Sequence, residues 1–179
     1  LILLAPARDK EVAKAAVQAG ADAIYIGAPK FGARQAACNS MEDLAETVAY
    51  AHRYGVQVLV TLNTLLNDDE RKQAAQMAHQ LYQAGADALI IQDLRLLNEP
   101  LPPIRLHAST QCDNRTPEQV IRLAQMGFKR IVLARELSLI QIKQIADRLQ
   151  DAGIEVELEA FIHGALCVCY SGRCYMSEE

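Results

Sequence analysis

QAGADAIYIG, Gln18 to Gly27, returns further along the chain as QAGADALIIQ, Gln83 to Gln92. Two looser echoes follow, QMGFKRIVLAR (Gln125 to Arg135) and DAGIEVELEAF (Asp151 to Phe161). Each copy reads as the end of a helix, a glycine suited to the left-handed cap, and a short apolar strand. The strands are apolar runs rather than alternations, as expected where both faces of a parallel sheet are covered. Between them lie helix-start signals. Ser40 with Asp43, Asn67 with Glu70, Thr116 with Gln119 and Ser138 with Gln141 each have capping-box spacing. Asp9 is placed to cap a first helix, and Pro117 takes a first helical position, where no amide hydrogen is needed.

Working outward, strands are expected near 1–5, 22–26, 56–61, 87–91, 104–107, 129–133 and 154–161. Helices are expected near 9–19, 41–54, 69–84, 116–126 and 138–152, with at most one turn in LRLLNEPLPP. This βα repeat suits either a doubly wound sheet or a (β/α)8 barrel. No G-x-G-x-x-G follows a strand, so the dinucleotide-binding fold lacks its fingerprint. The expectation is α/β: a TIM-type barrel over residues 1–179 as a single domain, incomplete, with about seven parallel strands and its last strand beyond the chain end.

Composition sets the class. The chain has 179 residues, 51% hydrophobic and 22% charged, with a net charge of −4. That is the balance of a globular protein without a global basic field for nucleic acid, so RNA contact would need a local patch. No apolar run approaches the ~20 residues of a membrane span. The opening LILLAPARDK lacks the features of a signal peptide, which points to the cytoplasm and away from disulfides. The first residue is Leu, as in a piece of a longer protein.

In either fold, chemistry gathers where strands end. The expected segments there carry Lys30, Arg34, Gln35 and Asn39; Asn63; Gln92 and Asp93; His107, Ser109, Thr110, Gln111 and Asn114; and Arg135 and Glu136. The last strand carries Glu159 and leads to His163. Such a mixture suits a small anionic molecule, with Arg34 and Arg135 as guanidinium clamps. Any single one of these residues is as readily an ordinary wet loop position. His52 and His79 sit in amphipathic helices and read as ordinary helix residues; His107 reads equally as a buried core histidine.

Three of the five cysteines, Cys167, Cys169 and Cys174, crowd into HGALCVCYSGRCYMSEE beside His163. A thiolate with His163 as base would be a nucleophile, but no protease signature surrounds it. As a zinc site, H-x3-C-x-C-x4-C lacks paired knuckles. As an iron–sulfur site, Cys167 and Cys174 would give two of the four usual thiolates, with Cys169 a third or a bystander.

Glu159-Ala-Phe161, Gly164-Ala165-Leu166-Cys167, Gly172-Arg-Cys174 and Met176-Ser177 fill every fixed position of a pattern resembling that of the peptidase U-32 family. LLAPA, AIYIG with FGAR, VTLNT, IIQD and LHASTQ are similar to its other landmarks. The resemblance covers essentially the whole chain. It implies the N-terminal barrel portion of a longer bacterial protein, in a family named for collagenase-like peptidases. Other members act in hydroxylation of ribosomal or transfer RNA bases, or of a ubiquinone precursor. For these it implies a 4Fe–4S cluster, with Cys167 and Cys174 as ligands and the remaining ligands outside this chain. It also implies prephenate as co-substrate in the RNA reactions. Cys38 lies in the loop where one branch places a ligand, but Phe31 stands nearer the matching position, so the role does not carry over.

The leading expectation is therefore an RNA-base hydroxylation enzyme, with Glu159, His163 and Arg135 as catalytic candidates. Arg34, Asn63, Gln92, Asp93, His107, Ser109, Gln111 and Arg135 are its candidate substrate contacts. The alternatives are a hydrolase of peptides with a cysteine nucleophile, and a non-catalytic scaffold. An open barrel edge would favour self-association.

Overall fold

The computed structural model describes residues 1–33, 39–164 and 169–172. The backbone gathers into two compact units, Leu1–Ile104 and Arg105–Glu179. The first holds β1 (Leu4–Ala7), α1 (Lys10–Gln18), β2 (Ala23–Gly27), α2 (Met41–His52), β3 (Gln57–Leu62), α3 (Asp68–Gln83) and β4 (Ala88–Ile91). The second holds β5 (Arg105–Ala108), α4 (Pro117–Gln125), β6 (Arg130–Val132), α5 (Leu139–Asp151) and β7 (Glu157–Glu159). Short 3₁₀ turns cover Leu94–Asn98 and Thr110–Cys112. Among the described residues the seven strands and five helices overlap the expected ones, but β1 is shifted to Leu4–Ala7 from the expected 1–5 and β7 is confined to Glu157–Glu159.

In the first unit β1, β2, β3 and β4 pair in parallel and in chain order. In the second, β5, β6 and β7 do the same. Neither unit reverses its strand order, so neither contains the switch point of a doubly wound sheet. This is the barrel alternative of the sequence reading.

The repeated motif works as a joint. Gly20 and Gly85 have φ of +93° and +89°, a conformation that side chains resist. The next amide then folds back onto its helix, from Ala21 N to Ala16 O at 3.1 Å and from Ala86 N to Leu81 O at 3.0 Å. The motif's aspartate reaches sideways to the preceding strand. Asp22 Oδ2 accepts from Leu3 N at 2.7 Å, and Asp87 Oδ2 accepts from Val58 N at 2.7 Å and contacts His52 Nε2 at 2.9 Å. The looser copies make the same fold-back after Gly127 and Gly153, but carry Lys129 and Glu155 in place of aspartate.

The expected caps form. Asp9 accepts from Val12 N, and Ser40, Asn67 and Ser138 make full capping boxes. Thr116 differs: it accepts from Gln119 N, but Gln119 Nε2 donates to Cys112 O at 3.1 Å and leaves the box one-sided. A nearby carbonyl outcompeted the cap. His52 and His79 are helix-surface residues as expected, the latter meeting Pro100 O at 2.9 Å.

Strand parity separates two faces in each unit. In the first, Ile24, Ile26, Val58, Val60, Leu62, Leu89 and Ile91 share one face and are essentially inaccessible. Right-handed parallel crossovers lay the helices on a single side of such a sheet. The other face is also apolar: Ala23, Leu59, Ala88 and Ile90, with Leu4 and Tyr25 packed on them. In the second unit Ile131 and Leu158 share a face with Ala108. The opposite face is where the chemistry differs.

Candidate functional site

Register places Arg105, His107, Arg130, Glu157 and Glu159 on one face of the three-stranded second unit. Arg130 is only 5% exposed. Its Nε and Nη2 approach Glu157 Oε2 at 2.7 and 2.6 Å, while Arg105 Nη2 donates to Glu157 Oε1 at 2.9 Å. One carboxylate therefore bridges two guanidiniums. Burial pushes Glu157 up, but Arg130 and then Arg105 hold it below the usual carboxylate range.

Glu159 has the opposite fate. Its Oε2 stands 3.7 Å from Arg130 Nη1, an ion pair too long for a hydrogen bond, and has no hydrogen-bond partner among the described residues. Burial raises its pKa, and the attraction of Arg130 does not cancel the rise. His107 is 2% exposed, and neither ring nitrogen has a hydrogen-bond partner among the described residues. Burial, reinforced by Arg130 and Arg105, pushes its pKa down to about 3. The face thus offers a carboxyl with a raised pKa, a neutral imidazole and a fixed cation. Those are the parts of a proton-exchanging group, a neutral hydrogen-bonding group and an anion-stabilising group.

Beyond these strands the loops are stitched together. Asn114, fully buried, donates from Nδ2 to Ser109 O at 2.8 Å and Val132 O at 2.7 Å. Thr110 Oγ1 donates to Leu133 O at 3.1 Å. Onto this platform comes Ser171, from the cysteine segment, 1% exposed. Its N–H donates to Glu136 Oε1 at 2.7 Å, and its Oγ lies 3.4 Å from both Thr110 Oγ1 and Arg135 N. Burial works against the Glu136 charge, yet the Ser171 N–H helps hold its pKa below the ordinary value. Gly172 follows with φ of +70°, and a Cβ there would stand 2.7 Å from Asp113 Cβ. Glycine is required on both counts. Tyr170 lies under the Arg115 guanidinium at 5.6 Å.

The other expected site residues fall as follows. In the first unit Asn63 Oδ1 accepts from Ala33 N at 3.0 Å, shaping the loop after β2. Gln92 is buried at the end of β4. Asp93 is 4% exposed and accepts from Leu66 N at 3.1 Å and from Arg95 Nε and Nη2 at 3.0 and 2.6 Å. Its oxygens serve the fold, which makes it a loop clamp rather than an open substrate contact. Burial raises its pKa, but Arg95 and the Leu66 N–H bring it below the usual value. In the second unit Ser109 Oγ accepts from Gln111 N at 3.2 Å, and Gln111 is half-buried. Arg135 is exposed, its guanidinium 5.8 Å over Phe161; His163 is exposed and Cys169 half-buried. Arg34, Cys167, Cys174 and Cys38 lie outside the described residues.

Sequence reasoning missed Arg130, Glu157 and Ser171, and gave Glu136 no role. A signal existed for the first two: an arginine opening the apolar run RIVLA, and glutamates alternating in VELE. Nothing local marks Ser171.

Comparison with known proteins adds three findings. The model of peptidase family U32 matches residues 8–179. The chain is 56% identical over 177 residues to the 23S rRNA 5-hydroxycytidine C2501 synthase of Escherichia coli, covering 99% of this chain and 26% of that protein. It is 35% identical to tRNA hydroxylation protein P1 of Bacillus subtilis, covering 98% of this chain and 41% of that protein. The chain thus spans well under half the length of these relatives. Among solved structures, the U32 peptidase Mk0906 matches with a TM-score of 0.71 at 15% identity, over 89% of this chain and 67% of that one. That likeness shows the fold, α/β of the TIM type.

Proposed function

The chain belongs to peptidase family U32, and from that premise we propose that it is part of an enzyme that hydroxylates a base in RNA. The observation that carries the reading is the 56% identity, nearly end to end, to an rRNA hydroxycytidine synthase. A relative named for tRNA hydroxylation at 35% identity supports the same reaction class on a second kind of RNA. No helix among the described residues is long and apolar enough to cross a membrane. RNA modification would then run in the cytoplasm.

The proposed cofactor is a 4Fe–4S cluster. Cys167 and Cys174 would supply two of its roughly four thiolates, and the rest would come from elsewhere in a longer polypeptide. The fit rests on the segment between them: Ser171 and Gly172 are anchored on the ends of β5 and β6, on the unit that carries the buried polar face. When bound, such a cluster supplies one-electron transfer. The chain's own groups do the rest. Glu159, its pKa raised by burial, would exchange a proton with an oxygen of a small co-substrate. His107, held neutral, would serve as a hydrogen-bond partner, and Arg130 would steady developing negative charge. A small organic anion is the proposed co-substrate, prephenate being the candidate that the resemblance implies. Arg34 and Arg135 remain its proposed clamps.

The test uses the full-length protein purified without oxygen, beside its Cys167→Ser variant. Iron and acid-labile sulfide near four per chain, with a visible absorption band lost in the variant, is the expected result. It should accompany loss of the hydroxylated nucleoside from RNA of cells that carry only the variant. An iron-free protein that cleaves peptides and is stopped by thiol alkylation would overturn the reading in favour of a cysteine hydrolase.

A further inference from the structure

We infer that Glu136 is a positioning residue for the thiol segment: through Ser171 it holds the peptide between Cys167 and Cys174 on the ends of β5 and β6. This rests on the cluster reading above and deepens it.

The argument is geometric. Ser171 sits between two loops. From the β6–α5 side, Glu136 Oε1 takes its N–H at 2.7 Å, and the amide of Arg135 lies 3.4 Å from its Oγ. From the β5–α4 side, Thr110 Oγ1 lies 3.4 Å from the same Oγ, and Asp113 presses against Gly172, leaving no room for a side chain. The Glu136 contact is the short, charge-assisted one and joins residues 35 apart in the chain. It uses a peptide N–H, so no choice of side chain at position 171 can replace it. Ser171 itself is almost fully buried although its neighbour Tyr170 is 63% exposed. Among the described residues of the segment, Ser171 is the one whose side chain is almost fully buried. Ordering a ligand loop costs backbone conformational entropy. A pin placed before binding removes part of that cost, and partners that orient metal ligands commonly set metal affinity by about 10–100-fold.

Two variants of the full-length protein separate holding from charge. Glu136→Gln keeps an oxygen that accepts the Ser171 N–H; Glu136→Ala does not. The expected result is iron and sulfide near wild type in the glutamine variant, with the midpoint potential moved positive because a nearby negative charge is gone. The alanine variant should lose iron by about 10-fold or more at limiting supply, with its far-ultraviolet circular dichroism unchanged. Gly172→Ala should follow the alanine variant. Equal iron retention and an unchanged potential in all three would overturn the inference. Should wild type bind no iron, the cluster reading fails by itself, and the pin is then read from thiol alkylation in the metal-free protein. Faster alkylation of Cys167 and Cys174 in Glu136→Ala would sustain it, and equal rates would end it.

Discussion

The two units are built from the same βα motif, but one sheet face of each carries opposite chemistry. The first backs its strands with Ala23, Leu59, Ala88 and Ile90 and staples them with Asp22 and Asp87. The second replaces those aspartates with Lys129 and Glu155 and backs its strands with Arg105, His107, Arg130, Glu157 and Glu159. A buried apolar face is stabilising at about 25 cal/mol per Å². A partly buried charged face at best breaks even. The second unit therefore carries groups that packing alone does not explain, among them His107, whose ring nitrogens have no hydrogen-bond partner among the described residues.

The comparison can be broken most forcefully at Arg130. Arg130→Met should leave Glu157 to Arg105 alone and Glu159 without its neighbouring cation, and lower stability by about 3 kcal/mol, a value at the low end for a buried pair because Glu157 is partly exposed. Urea unfolding measures it. A loss below the experimental error would mean that the charged face is solvated and cheap. Next is Asp87→Ala, which removes the acceptor of a strand amide in the first unit and should cost about 1–3 kcal/mol. Lys129→Asp in the second unit, where no staple exists, should change little.

A sharper test concerns pH. His107 titrates near 3 in the fold against 6.5 ordinarily, so the unfolded chain binds more protons between those values. Stability should fall as pH drops from about 6.5 toward 3, and His107→Leu should flatten that slope. Glu159, raised by burial, acts with the opposite sign: its contribution is present at low pH and is lost as pH climbs through its folded pKa. Glu159→Gln should remove that decline. The smallest expected effect is a gain. At neutral pH His107→Leu removes a buried imidazole without a partner among the described residues, and should stabilise the protein by about 1 kcal/mol while activity is lost. A destabilised His107→Leu would show that the ring is a packing element.

Much of the fold was legible because its determinants are local. A glycine cap, a capping box and an apolar run are each decided within a few residues, and QAGAD repeats all but verbatim. The charged face of the second unit was not legible, because parity becomes meaningful only once a strand is paired. Arg130 gains its role from sitting beside His107 on one side and Glu157 on the other. The partners of Asp93 were hidden for a related reason: an acid at a strand end gives no sign in sequence that Arg95 and Leu66 occupy its oxygens. Cys167 and Cys174 were flagged from spacing and resemblance, and they lie outside the described residues.

The aspartate staples also bear on how the chain is made. Leu3 N waits for Asp22, and Val58 N waits for Asp87. Each earlier strand is sealed by a residue that leaves the ribosome after it. Synthesis from the N-terminus thus supplies the closures in order, with no strand in the first unit needing a staple made before it. Nascent chains stalled with Asp87 still inside the exit tunnel should be cut by protease at β3. Chains with it outside should resist, and equal cleavage of the two would remove the staple from any part in vectorial folding.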